Sequence, residues 1–254
     1  MASKKVLIPL PLNGCDPSEV GIPWKLMTEV GIDIVFATPN GVEATTDKIM
    51  LTGEKLGIWK PVLPARKDAV EAYLEMELSK EFCNPIKYDE IKHTDFDAIY
   101  LPGGHDKLVK EYLESKILQN NVAAFFKTKK PVGAICHGVL LVARSIDLDS
   151  GKSVIYNFKT TSLLKSQEMM GYYMTRLWLK DYYLTYPETS VEEEVRAVLS
   201  NDANFVNGPT PLFRDTPQNL NRGFYVRDRN YVSARWPGDL YSFSKAFIQM
   251  IQNG

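Results

Sequence analysis

The chain has 254 residues, 44% of them hydrophobic, which is enough for one large α/β domain or two small ones. A formal net charge of −1 gives no electrostatic reason to expect nucleic acid or an anionic membrane as partner. Three cysteines (Cys15, Cys83, Cys136), odd in number and irregular in spacing, argue against a disulfide framework and point to a reduced, cytoplasmic setting.

In chain order, the apolar run over 6–12 is too short for a signal core or a membrane span and reads as a first strand, placed at 5–10. Asp16 or Ser18 can cap a helix running to about Val30, with Gly31 placed as its C′ glycine. A second strand is predicted over 33–38, ending in the loop Pro39-Asn40-Gly41. Residues 42–95 read as an insertion or lid with one helical stretch at about 69–79. A third core strand is predicted over 97–101, followed by Pro102-Gly103-Gly104-His105-Asp106 and a helix over 107–127. A strand over 131–135 then runs into Cys136, and an apolar helix follows to about Ile146. Later elements are a strand over 153–157, a helix over 162–179 and a capped helix over 190–198. Two strands, 223–226 and 230–234, surround the turn Arg227-Asp228-Arg229, and a closing helix spans 240–251. Alternating strands and helices predict an α/β fold with a doubly wound, mostly parallel sheet. The site then lies at the carboxyl ends of the strands.

The segment Ala134-Ile135-Cys136-His137-Gly138 reads as a strand–nucleophile–helix elbow. The sharp turn lifts the Cys136 side chain clear of the sheet, and the helix start favours thiolate. The alternative for Cys136 is a buried structural thiol, which is how Cys15 and Cys83 are read. His137 is placed to pair with the thiol as base, against the alternative of a histidine packed in the elbow. The amides of His137 and Gly104 are candidate oxyanion donors. Glu19, in Asp16-Pro17-Ser18-Glu19, is either a carboxylate that suits the helix start or a protonated partner of Cys136, its pKa raised by burial and like charge. His93 and His105 lack the spacing of metal ligands, so no metal is expected. Nucleotide binding is disfavoured because no Gly-x-Gly-x-x-Gly follows the first strand and no phosphate-loop motif occurs.

Strand–Pro-Gly-Gly-His, Ala-Ile-Cys-His-Gly and the early Asp-Pro-Ser-Glu together resemble the ThiJ/PfpI superfamily, nearest its chaperone/glyoxalase III-like branch. The resemblance covers residues 4–158, extends to 220–254 and lapses over 159–219. It implies a single domain over 1–254 of class I glutamine amidotransferase-like (flavodoxin-like) fold, with an insertion at 42–95 and a divergent segment at 159–219. It implies Cys136 as nucleophile, Glu19 as its protonated partner, His137 as base, and Gly104 and His137 as anion hole. It further implies a homodimer and a small carbonyl substrate, with no metal or organic cofactor. Members convert methylglyoxal to D-lactate without glutathione, and others act as chaperones, peptidases or deglycases. One departure stands out: glyoxalase III-like members carry a third acid shortly after the strand that follows the elbow helix. Residues 151–163 contain none here, which leaves Glu168 or Asp239 as distant replacements. The competing expectations are a redox-sensing or chaperone-like protein whose Cys136 is oxidised, and an amidase or peptidase of unknown substrate. True glutaminase activity is disfavoured, since the separate His-x-Glu pair is missing. The aromatic-rich segment 171–186 is read as core and subunit interface, with a substrate pocket as the alternative.

Overall fold

The computed structural model describes residues 3–253. Seven strands form the central sheet: β1 Lys5–Pro9, β2 Asp33–Thr38, β3 Ile86–Lys87, β4 Ala98–Leu101, β5 Val132–Ile135, β6 Tyr225–Asp228 and β7 Tyr231–Ala234. Their spatial order is β6-β7-β5-β4-β1-β2-β3, parallel throughout except for the β6–β7 hairpin at one edge. The four residues of β4 and of β5 are all buried, as expected of strands covered on both faces. From β1 the chain moves outward to β2 and β3, then returns to lay β4 on the other side of β1. That reversal opens a crevice at the carboxyl ends of β1 and β4, where open α/β sheets bind ligands.

The longer helices are α1 Pro17–Glu29, α2 Lys67–Glu77, α3 Lys116–Lys127, α4 Gly138–Arg144, α5 Lys165–Leu179, α6 Val191–Ala197 and α7 Leu240–Asn253. Helix α1 packs against α2 and α7, while α4 packs against α3 and α6. Asp16 begins α1 by accepting hydrogen bonds from the Ser18 and Glu19 amides, and Gly31 (φ +77°) lets the chain turn into β2. Among the described residues no helix is long and apolar enough to cross a membrane.

Several expectations shift. Residues 42–95 are not wholly an insertion, because Ile86–Lys87 pairs with β2 as the sheet's edge strand and α2 packs on α1. The helix expected over 107–127 is broken at Glu114. There Ser115 accepts from the Leu118 amide and starts α3 afresh, which separates α3 from the short turn Lys110–Leu113. The helix after the elbow ends at Arg144 rather than Ile146. Ile146–Asp147 instead pairs with Lys152–Ser153, so the strand expected at 153–157 reduces to that two-residue antiparallel pair. The hairpin turn is displaced to Arg229-Asn230, with Arg229 in the left-handed region (φ +55°).

Gly138 shows how tightly α4 is seated on the sheet. A methyl group there would lie 2.2 Å from the Leu101 carbonyl oxygen and 2.7 Å from that of Pro102, both backbone atoms. Gly138→Ala is therefore expected to lower stability by about 2 kcal/mol, read as a lower urea midpoint with an unchanged m value.

Candidate active site

Cys136 holds a left-handed backbone conformation (φ +56°) between β5 and α4. A residue with a Cβ is strained there, and the strain keeps the thiol at the apex of the elbow. Three strand ends converge on it. The loop after β1 begins α1 and delivers Glu19, which is fully buried. The loop after β4 delivers Gly103, whose amide donates to Glu19 Oε2 at 2.8 Å. The end of β5 delivers Cys136 and His137. A methyl at Gly103 would sit 2.7 Å from Glu19 Oε2, 2.7 Å from the His137 nitrogen and 3.0 Å from Cys136 Cβ. Only glycine allows these groups to approach so closely. Gly104, at φ +151°, is pressed against the Gly14 carbonyl in the same way.

His137 is fully buried, and its Nδ1 lies 3.4 Å from Cys136 Sγ. Its Nε2 lies 3.0 Å from the Thr185 hydroxyl, which donates to the His105 carbonyl at 2.7 Å. Among the described residues the Gly104 amide donates no hydrogen bond, and the His137 amide points at the Cys136 sulfur, so both line the place where an anion formed at that sulfur's partner would sit. Glu19 Oε1 is buried and also without a hydrogen-bond partner.

The electrostatics depart from the expectation of a thiol lowered by the helix start. Burial, then the Glu19 and Asp16 carboxyls, push the Cys136 thiol well above its ordinary value. Burial and then Asp16 push Glu19 well above the carboxylate range, and the Gly103 amide and the nearby thiol offset only part of this. Burial, together with His105 and Arg144, lowers His137 to about 3. Thiol, carboxyl and imidazole thus all favour their neutral forms, and at neutral pH no imidazolium is present to hold a thiolate.

Neither replacement acid stands behind His137. Asp239 forms a buried ion pair with Arg235 (2.9 and 3.0 Å) and accepts from the Phe224 amide. Glu168 accepts from the Val191 amide at the start of α6. The group that occupies the position is Thr185, which lies 48 residues from His137 in sequence and carries no motif. It belongs to the segment read as core and subunit interface. Part of that segment packs beside the site: Tyr183 stacks on the His105 ring (4.4 Å between centroids), and Tyr182 meets it edge-on (4.7 Å) and donates to Asp47. Cys15 is buried, with its thiol raised to about 12 by burial, and Cys83 is exposed. Among the described residues no group of three His, Cys, Asp or Glu side chains is placed to hold a metal ion.

Fold and elbow together define an α/β protein with a cysteine at a strand-to-helix turn, faced by a buried glutamate and a histidine. The model described as ThiJ/PfpI family-like matches residues 10–187, and the chain belongs to the ThiJ/PfpI superfamily. It is 26% identical over 197 residues to "Uncharacterized protein C14C4.04" of Schizosaccharomyces pombe, covering 73% of this chain and 72% of that protein. It is 24% identical over 212 residues to "Protein/nucleic acid deglycase HchA" of Staphylococcus aureus, covering 79% and 68%. Among solved structures, glyoxalase III from Candida albicans superimposes with a TM-score of 0.69 at 18% identity, covering 97% of each chain.

Proposed function

We propose that this protein is a cysteine-dependent enzyme acting on small carbonyl compounds, of the glyoxalase III type, converting methylglyoxal to D-lactate without glutathione. The observation that carries this reading is the strained Cys136 with His137 Nδ1 at 3.4 Å and the unpartnered Glu19 Oε1 beside it. The names of the glyoxalase and deglycase relatives support it at the level of the family.

Because the resting groups are neutral, the thiol proton passes to His137 Nδ1 as sulfur bonds to the aldehyde carbon. The developing oxyanion is received by the Gly104 and His137 amides and then takes that proton, giving a hemithioacetal. The hydrogen on the former aldehyde carbon is next removed as a proton and one is returned at the former ketone carbon. The hydroxyl proton on the first carbon's oxygen passes to the oxygen of the second in the same step, so the first carbon is oxidised to a thioester and the second reduced to an alcohol, with no external redox partner. Water then cleaves the thioester, releasing lactate and restoring the thiol. Neutral Glu19 supplies a hydrogen bond from Oε1 to the sulfur whenever it carries negative charge.

A second reading is favoured by the hydroxyl that stands behind His137 where an acid was expected. A neutral residue there stabilises an imidazolium less than a carboxylate does, which suits a thiol that reacts with peroxide more than it turns over substrate. D-lactate formation from methylglyoxal in the absence of glutathione tests the first reading. No D-lactate, with Cys136 converted by mild peroxide to sulfinate, would replace it by the second.

A further inference from the structure

We propose that Thr185 is a positioning residue that fixes His137 in the Nε2–H tautomer and ties it to the loop bearing the Gly104 amide. This rests on Cys136 and His137 acting as the working pair.

The hydrogen-bond donors decide the tautomer. The Thr185 hydroxyl carries one proton, and its partner at 2.7 Å is the His105 carbonyl, which only accepts. With that proton committed, the hydroxyl oxygen meets His137 Nε2 at 3.0 Å as an acceptor, so Nε2 carries the imidazole proton. The other nitrogen, Nδ1, then presents a lone pair to Cys136 Sγ. A buried imidazole with the opposite tautomer would present N–H to the sulfur and could not take the thiol proton. Thr185 and His137 are both fully buried, so water does not compete for these bonds.

The second bond has its own consequence. His105 follows Gly104 directly, so one hydroxyl sets both the orientation of the base and the position of the adjoining anion-binding amide. In this chain a hydroxyl thus does the orienting that an acid does in a triad, without adding charge beside the thiol.

The test uses two readouts that need no substrate. In protein labelled with 15N-histidine, long-range proton–nitrogen spectra of the wild type should show His137 protonated at Nε2 and bare at Nδ1. Thr185→Val should shift His137 toward the Nδ1–H tautomer and slow alkylation of Cys136 by iodoacetamide about tenfold. Thr185→Ser, which keeps the hydroxyl, should restore both. An Nδ1–H tautomer in the wild type overturns the proposal even if Thr185→Val fails to fold. So does a folded Thr185→Val with wild-type tautomer and alkylation rate. Failure of methylglyoxal turnover in the wild type would sink the glyoxalase reading alone, because neither readout depends on it.

Discussion

Cys136→Ala is expected to abolish D-lactate formation from methylglyoxal, reducing turnover by more than about 10³-fold. Nothing else near the elbow can replace the sulfur. His137 is held neutral by burial, Glu19 favours its protonated form, and Cys15 is a buried thiol raised to about 12. The substitution should leave the fold intact, since alanine removes a single buried sulfur and places no larger group at the left-handed apex. A urea midpoint measured beside the turnover assay separates loss of chemistry from loss of structure. Turnover persisting in a folded Cys136→Ala would remove the cysteine from the mechanism and with it the proposed function.

What could be read from the sequence was whatever is local in the chain. The elbow is five consecutive residues, and the Gly103-Gly104 loop abuts a recognisable apolar strand, so both stood out. Asp16 and Gly31 mark the ends of α1 by short-range capping, and the structure keeps them there. The break at Ser115 was missed because apolar spacing runs through it and the cap competes with a continuous helix over one turn only. The edge strand Ile86–Lys87 was missed because two residues carry no period, and its pairing with β2 is a tertiary event. Thr185 was illegible for the same reason. Its function rests on contacts with His105 and His137, 80 and 48 residues away, and nothing in the neighbouring tyrosines signals a hydrogen bond. The direction of the thiol's shift was misjudged because sequence shows the helix start but not the burial that outweighs it. For Glu19 burial acts as expected, but the like charge that raises it is Asp16 and not a thiolate, since the Cys136 side chain lowers it by hydrogen bonding.

Glu19→Gln should raise stability at neutral pH while impairing catalysis. The folded protein holds Glu19 well above its ordinary carboxylate value, chiefly because burial penalises the charged form. The folded state therefore binds that proton more tightly than the unfolded chain does. The stabilisation is fully present below the unfolded value, about 4.3, and is lost as pH rises through the folded value. Glutamine has no proton to lose and keeps a side-chain donor, so the variant escapes that loss. Its Tm should exceed the wild type's by a few degrees at pH 7, and the difference should vanish below about pH 4. Chemistry should move the other way. An amide is a much weaker donor than a carboxylic acid to a sulfur that carries negative charge, so turnover is expected to fall about 10²-fold. In the alkaline range where Glu19 would ionise and oppose a thiolate, glutamine stays uncharged, so the alkylation profile of Cys136 should also move to lower pH. The paired result, a more stable protein with a more acidic but less productive thiol, is the signature of a glutamate kept buried for its proton. An unchanged Tm together with an unchanged alkylation profile would mean that the carboxyl and the thiol do not interact.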